Sequence, residues 1–92
     1  MPYIKQERRN PLDFYVKSLV EYLQAQPKEV QDGDMNYVIS KMLREIYPLK
    51  YTHMNRAMGM LECVKQEFYR TVVGPYEDTK IIENGNVNGK AE

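Results

Sequence analysis

The side chains in this 92-residue chain whose types and spacing could do chemistry gather at three places. They are the basic pair Arg8 and Arg9, the group Lys65, Tyr69 and Arg70 on a predicted helix, and the adjacent Tyr76, Glu77 and Asp78. The planar fork of an arginine suits phosphate, because it donates two parallel hydrogen bonds. A tyrosine offers a stacking surface, and a carboxylate can accept hydrogen bonds from ribose hydroxyls. These residues are therefore the candidate ligand-binding set.

Each group also has a structural interpretation, which the sequence leaves open. Lys65, Tyr69 and Arg70 fit a solvated, salt-bridged helix face. Arg8 and Arg9 fit an ordinary basic arm, or an arm folded against the end of helix 3, where the helix dipole favours cations. The 76–78 segment would then lock that arm down instead of binding a ligand.

The inventory of catalytic and metal-binding groups is small. His53 is the only histidine, and we interpret it as a surface or capping residue. Cys63, the only cysteine, lies in the middle of a predicted helix and is expected to be a small buried hydrophobe. No glycine-rich phosphate loop lies between a strand and a helix. We therefore predict a protein that is not an enzyme and holds no metal or cofactor.

Three amphipathic helices must position these groups. Helix 1 is predicted at residues 11–26, starting at an Asn10 cap. Helix 2 follows a polar loop at residues 28–33 and ends at Tyr47-Pro48. Helix 3 begins at a Thr52 cap and ends at Gly74-Pro75, with Gly59 suggesting the close approach of another helix. The apolar stripes are Leu12, Val16, Leu19, Val20 and Leu23; Met35, Val38, Ile39, Met42, Leu43 and Ile46; and Met54, Ala57, Met58, Leu61, Val64, Phe68 and Val72.

This pattern predicts an all-α fold, a small three-helix bundle with or without a short C-terminal turn. We expect a single helical domain at residues 1–83, with an N-terminal arm at 1–10 and a flexible tail at 84–92. A chain of this length has a limited core, so assembly as a homo-oligomer is expected.

Composition excludes several classes of protein. Thirteen basic and thirteen acidic residues give no net charge, which argues against nucleic-acid binding. A lone cysteine fits a reducing compartment. The sequence has no leader pattern and no apolar run of about 18 residues, so we expect no membrane association and a cytoplasmic location.

Three stretches carry the most distinctive patterns: PYIKQERR at 2–9, MNYVISK at 35–41 and LECVKQEFYRTVVGPYEDTKIIENG at 61–85. Together they resemble a family of short, largely uncharacterised phage and bacterial proteins. Its recurring features are PYI-x-x-E-R-R, (L/M)-N-Y-(V/I)-I and L-E-x-x-K-x-E-(F/L)-Y-R-x-V-V-x-P-Y-E-D-x-K-I-x-E-N-G. The match spans most of the chain but is poor at residues 13–31, and Thr71 stands where members typically have a second arginine.

The resemblance implies a phage accessory protein, located in the host cell cytoplasm, with no assigned reaction. By analogy with small phage proteins that act by binding, we expect it to sequester a nucleotide-type host immune signal without cleaving it. A cyclic oligonucleotide or an ADP-ribose derivative is the expected ligand class. The alternative is a protein–protein interaction module that inhibits or modulates a host or phage protein. DNA binding through the basic arm and enzymatic degradation of the signal are weaker alternatives.

Overall fold

The computed structural model describes residues 2–89 and is helical along most of that length. Its elements are α1 (Gln6–Gln24), α2 (Lys28–Ile46), α3 (Tyr51–Phe68), a π-helical segment (Tyr69–Val73) and α4 (Gly74–Asn84). Residues 2–89 contain no β-strand, and none of their helices is both long and apolar enough to cross a membrane. The predicted all-α class is confirmed. The chain divides into two compact units, Met1–Ala57 and Met58–Glu92, with the boundary inside α3.

Helix α1 begins at Gln6, earlier than the predicted start at Pro11. The backbone N–H of Arg8 donates to the carbonyl of Lys5 at 3.0 Å, which closes a turn before the predicted cap. Pro11 lies inside the helix, where it removes the hydrogen bond to the carbonyl of Glu7 and its ring crowds that carbonyl. Residues 6–9 are glutamine, glutamate and two arginines, all good helix formers, and they extend the helix before the proline.

The predicted polar loop at residues 28–33 is wrong, because α2 starts at the first residue of that stretch. The side-chain amide of Gln31 donates to the carbonyls of Leu23 at 3.4 Å and Gln26 at 3.1 Å. These bonds satisfy carbonyl groups near the end of α1, which a helix terminus leaves without partners. The turn signal at Gly33 is overridden, and this glycine has an ordinary negative φ inside α2.

The predicted end of helix 2 is confirmed. Helix α2 ends at Ile46, and Tyr47 takes an extended conformation before Pro48, as the proline ring requires. The guanidinium of Arg56 lies 5.3 Å from the centre of the Tyr47 ring, a cation–π contact. Nη1 of Arg56 also lies 2.5 Å from Nδ1 of His53, so this half-buried histidine is engaged by a neighbour on its own helix.

The predicted end of helix 3 at Gly74-Pro75 is wrong, because the helix continues through both residues into α4. In a regular α-helix the ring of Pro75 would clash with the carbonyl of Thr71, four residues back. The π-helical segment changes this register: the N–H of Gly74 donates to the carbonyl of Tyr69, five residues back. The hydroxyl of Thr71 donates to the carbonyl of Glu67 at 2.8 Å within the same region. The proline therefore distorts the helix without ending it.

The apolar side chains are largely uncovered. Among residues 2–89, Ala57 alone is buried, with 8% of its surface exposed. The expected burial of Cys63 is wrong, because this side chain is exposed. An added Cβ at Gly59 would meet no atom within 4 Å, so the close helix approach expected there is also absent. The apolar stripes predicted from the sequence are therefore present on the helices, but most of their side chains are exposed.

The predicted boundaries of the domain, arm and tail stay predictions. Residues 2–5 precede α1, so residues 6–10 of the predicted arm are helical. Residues 85–89 follow α4 and include a hydrogen-bonded turn. The remainder of the predicted tail, residues 90–92, lies outside the described residues.

Candidate functional site

The π-helical segment decides which residues on either side of it share a face. At about 100° per residue, positions eight apart in a regular α-helix lie about 80° apart around the axis. The wider π turn absorbs one extra residue, so Tyr69 and Glu77 behave like positions seven apart, about 20° from a common line. The hydroxyl of Tyr69 accordingly donates to Oε1 of Glu77 at 2.5 Å. The segment thereby brings together two of the predicted site residues.

The contact with Glu77 also changes the acidity of Tyr69. The phenol can donate this hydrogen bond only while it is protonated, and a phenolate would be repelled by the carboxylates of Glu77 and, more weakly, Asp78. The pKa of Tyr69 is therefore raised above its ordinary value of 10.0. At neutral pH this side chain is a protonated donor with a half-exposed ring. It is suited to stacking and hydrogen bonding, and unsuited to acting as a base.

Lys65 and Arg70 are paired with acids one helical turn before them. Lys65 Nζ lies 3.5 Å from Oε2 of Glu62, and Arg70 Nη2 lies 2.8 Å from Oε2 of Glu67. Gln66 also donates to Glu62 at 3.1 Å. This hydrogen bond, followed by the charge of Lys65, holds the pKa of Glu62 below 4.5. The Lys65–Glu62 pair is exposed, and surface ion pairs of this kind contribute little to stability. The Arg70–Glu67 pair is partly buried, since the Glu67 side chain is only 22% exposed.

An open groove of about 510 Å³ runs along α4 and the residues after it. Its lining consists of Tyr76, Glu77, Lys80, Ile81, Asn84, Gly85, Asn86 and Val87. The ammonium of Lys80 lies 5.5 Å from the centre of the Tyr76 ring and 3.5 Å from Oε1 of Glu83. The groove therefore combines the apolar side chains of Ile81 and Val87 with an aromatic ring, a cation, a carboxylate and two amides. The volume falls within the roughly 300–1,000 Å³ of small-molecule sites. A larger open groove of about 730 Å³ lies along α2, so volume alone does not single out α4; its lining is Asp32, Gly33, Asn36, Tyr37, Ser40, Lys41, Arg44 and Glu45.

A tight turn after α4 positions Asn86 at the end of this groove. The backbone N–H of Asn88 donates to Oδ1 of Asn86, and the N–H of Gly89 donates to its carbonyl, both at 2.8 Å. Gly85 has a φ of +81°, and a Cβ there would lie 3.2 Å from the carbonyl carbon of Gly89. Glycine is therefore required at this position, and its conformation lets the chain turn back beside α4.

Only part of the predicted site lies in the groove. Tyr76 and Glu77 line it, and Tyr69 is joined to it through Glu77. Asp78 follows on α4 but does not line the groove, and Lys65 and Arg70 lie on the preceding turns of the same continuous helix. Lys65 lies on α3, Tyr69 and Arg70 lie in the π-helical segment, and Tyr76, Glu77 and Asp78 lie on α4.

The basic pair belongs to the first unit and is helical. Arg8 and Arg9 lie in the first turn of α1, and Nε of Arg9 donates to the carbonyl of Ile4 at 2.9 Å. This bond holds the residues before α1 against the start of the helix. The predicted contribution of both arginines to a ligand site stays a prediction.

Three polar residues of the groove were not predicted from the sequence: Lys80, Asn84 and Asn86. Lys80 follows Tyr76 by four positions, a spacing that places both on one helix face. The pattern Asn-Gly-Asn at 84–86 is typical of turns in which side-chain amides bond to nearby backbone. Both signals are local. They indicate a shared surface with Tyr76 and Glu77 only if α4 continues past Pro75.

Within residues 2–89 no group of three or more histidine, cysteine, aspartate or glutamate side chains is placed to hold a metal ion. The raised pKa of Tyr69 also makes its hydroxyl a poor nucleophile.

Comparisons with curated proteins and with solved structures found no match. Residues 1–87 match a family model described as a domain of unknown function, DUF6899. The matched range contains α1 to α4, the π-helical segment and every residue that lines the groove. The chain therefore belongs to the DUF6899 family.

Proposed function

We propose that the protein is a binding protein that holds a nucleotide-type small molecule in the groove along α4 without cleaving it. The groove itself supports this proposal most directly. It presents a ring, a cation, a carboxylate and two amides around a volume of about 510 Å³. A nucleotide offers the matching parts, since it combines a flat base, an anionic phosphate and ribose hydroxyls.

Four of the eight lining residues have a chemical counterpart in such a ligand. The exposed ring of Tyr76 can stack on a base, which is worth about 1–3 kcal/mol per base. Lys80, beside that ring, can bind a phosphate after exchanging its surface ion pair with Glu83. Glu77 can accept hydrogen bonds from ribose hydroxyls, and the amide of Asn86 can bond to a base edge.

Two more cations can extend the site toward a second phosphate. Arg70 and Lys65 lie on the helical turns that precede the groove, and each cation is itself exposed and paired with a glutamate. A doubly charged phosphate competes with a single carboxylate for such a cation. A ligand with several phosphates, such as a cyclic oligonucleotide or an ADP-ribose derivative, would use both ends of this surface.

The biological role follows from binding without turnover. A small phage-encoded protein that retains such a ligand would lower the concentration of a host immune signal in the infected cell. Sequestration requires stoichiometric amounts of protein and returns the ligand intact on denaturation. Neither property is shared by an enzyme that degrades the signal.

Calorimetric titration with ATP, ADP-ribose and a cyclic dinucleotide tests the proposal. We expect at least one of them to bind, and Tyr76→Ala to weaken that binding by about 5- to 150-fold, the equivalent of one lost stacking contact. Lys80→Ala should weaken phosphate-bearing ligands selectively. Tyr22→Ala is a matched control, because Tyr22 is 65% exposed on α1, against 62% for Tyr76, and lies outside the groove.

Native mass spectrometry of the loaded protein then separates sequestration from cleavage. The bound mass should be recovered unchanged after denaturation. Absence of binding to the whole panel, or equal binding by wild type and both groove variants, would remove the groove from consideration.

A second candidate function is a protein–protein interaction module. The observation that favours it is the apolar face of the second unit, where Val64 and Phe68 are 57% and 58% exposed and Met58 is 67% exposed. Methionine and aromatic side chains of this kind are enriched at protein interfaces. Phe68→Lys should abolish capture of a stoichiometric host or phage protein, and added nucleotides should leave that capture unchanged.

A further inference from the structure

The first unit contains two helices of equal length whose apolar side chains are only partly covered. Helices α1 and α2 each have 19 residues, about 28 Å at the usual rise, and a short connection joins them. They contact each other next to that connection, where Val20, Leu23 and Met35 border an open cleft. Two such helices with a short link are half of a four-helix bundle.

The apolar surface of α1 is wider than one neighbour requires. At about 100° per residue, the stripe from Leu12 to Leu23 together with Tyr15 and Tyr22 spans an arc of about 160°. A helix that packs on a single partner typically needs an apolar arc of about 100°. The structure leaves most of this arc open: Val16 is 55%, Tyr15 70% and Tyr22 65% exposed. Helix α1 is therefore patterned for a second neighbour besides α2.

The stripe of α2 shows the same feature. Met42, Met35 and Ile46 lie at its centre, and they are 46%, 47% and 67% exposed. Val38 and Leu43, at its edges, are half-buried. The centre of an apolar stripe is normally its most buried part, so this face has no neighbour within the first unit.

We propose that a second copy of this chain covers these faces, so that the α1–α2 pairs of two copies form a four-helix bundle. A two-fold interface uses the same patch on both subunits, so a single apolar surface is sufficient to form it. The zero net charge of the chain means that two identical copies do not repel each other at long range.

The apolar area exposed on α1 and α2 is large enough for an interface with a second copy of the chain. With on the order of 100 Å² per aliphatic side chain and 200 Å² per tyrosine, the exposed fractions along the two stripes amount to roughly 600 Å² per copy. Two copies would bury about 1,200 Å², which lies at the lower limit of stable protein interfaces. A smaller apolar patch would not support a lasting dimer.

Mass measurement of the full chain by native mass spectrometry and light scattering tests the proposal. The wild type should show about twice the monomer mass of 10.9 kDa. Val16→Lys places a charge inside the α1 arc, about 40° from its centre, and should return the protein to monomer mass. Phe14→Lys is the matched control, because Phe14 is 69% exposed on the opposite side of the same helix; this variant should remain a dimer.

An interface measurement on the unmodified chain covers the case in which Val16→Lys fails to fold, which its circular dichroism would show. A sample mixed from labelled and unlabelled protein should give intermolecular NOEs between methyl groups of Val16 and those of Leu12 or Leu19 in the other copy. A wild type of monomer mass, intramolecular NOEs alone, or equal behaviour of the two lysine variants would overturn the proposal. Nucleotide binding in the groove is measured separately, so the two proposals can fail independently.

Discussion

Replacement of Pro75 by alanine should convert the π-helical segment into regular α-helix. The segment exists, on our interpretation, because the ring of Pro75 cannot lie against the carbonyl of Thr71 in an α-helix. Alanine removes that clash and restores a backbone N–H. The five-residue register seen in the hydrogen bond from Gly74 to Tyr69 then has no remaining cause.

The expected change in stability follows from two known magnitudes. A proline inside a regular helix costs about 3 kcal/mol relative to alanine, which is an upper bound here because the π turn already relieves the clash. The restored backbone hydrogen bond contributes about 0.5–1.5 kcal/mol net, and it sets the lower bound. Pro75→Ala should therefore raise the free energy of unfolding by about 1–3 kcal/mol, or the melting temperature by at least about 4 °C.

The same change should separate Tyr69 from Glu77. In α-helical register the two positions lie about 80° apart, so the hydrogen bond is lost and the pKa of Tyr69 falls back toward 10.0. Because the folded pKa of Tyr69 is raised, its contribution to stability is present below pH 10.0 and is lost as pH rises through the folded pKa. Wild type should lose this contribution in alkali, whereas Pro75→Ala should show no such loss.

Titration of the tyrosine ¹³Cζ signals by NMR measures the effect directly, with Tyr69→Phe to assign the resonance. Pro11→Ala is the matched control, because Pro11 also lies inside a helix but has no π-helical segment next to it. It should stabilise the protein and leave the titration of Tyr69 unchanged. If Pro75→Ala also leaves that titration unchanged, the proline is not the cause of the π register.

Two further predictions concern the same continuous helix. Gly59→Ala should raise the free energy of unfolding by about 0.5–1 kcal/mol, since the added Cβ meets nothing within 4 Å. Gly74→Ala should raise it less, because its Cβ would lie 3.2 Å from the carbonyl oxygen of Tyr69. Urea denaturation measures the order of the two variants, and the reverse order would contradict the prediction. Gln66→Ala should raise the pKa of Glu62 toward 4.5, because the hydrogen bond from Gln66 is the main cause of its lowering. Because the pKa of Glu62 is lowered in the folded protein, its contribution to stability is present above pH 4.5 and is lost as pH falls through the folded pKa. Gln66→Ala lacks most of this contribution, so its stability should depend less on acid pH. An unchanged titration of the Glu62 carboxyl in NMR would refute this.

The helices themselves could be predicted from the sequence, because apolar spacing survives in the final structure. The stripe of α2 and the end of that helix at Tyr47-Pro48 are examples. The errors arose where a local signal was weighed alone. Asn10-Pro11 indicated a helix start, but good helix formers before it extend α1 back to Gln6. Asp32-Gly33 indicated a turn, but Gly33 is helical and Gln31 bonds to the connection before α2 instead.

The candidate site was predictable in its residue types more than in its geometry. The predicted helix end at Pro75 would have left Tyr76 and Glu77 in a loop, whereas both residues lie on α4. Lys80 and Asn86 could not be linked to them, because that link depends on a helix continuing past a proline. No periodicity rule predicts a π turn, which is a compromise between ring sterics and the hydrogen-bond register.

The spacing of the C-terminal motif becomes intelligible once the π turn is included. A tyrosine and a glutamate eight residues apart would have little reason to be coupled in a regular helix, since they point in directions about 80° apart. The intervening Gly74-Pro75 changes that relation, and Tyr69 and Glu77 form a hydrogen bond across it. Glycine is favoured at 74 because a Cβ would crowd the Tyr69 carbonyl that accepts the π-type hydrogen bond. The glycine and the proline, which looked like a helix stop, therefore act as the device that aligns the two halves of the site. Since π turns reduce helix stability and occur frequently at functional sites, this alignment is the strongest physical reason to seek the ligand at α4.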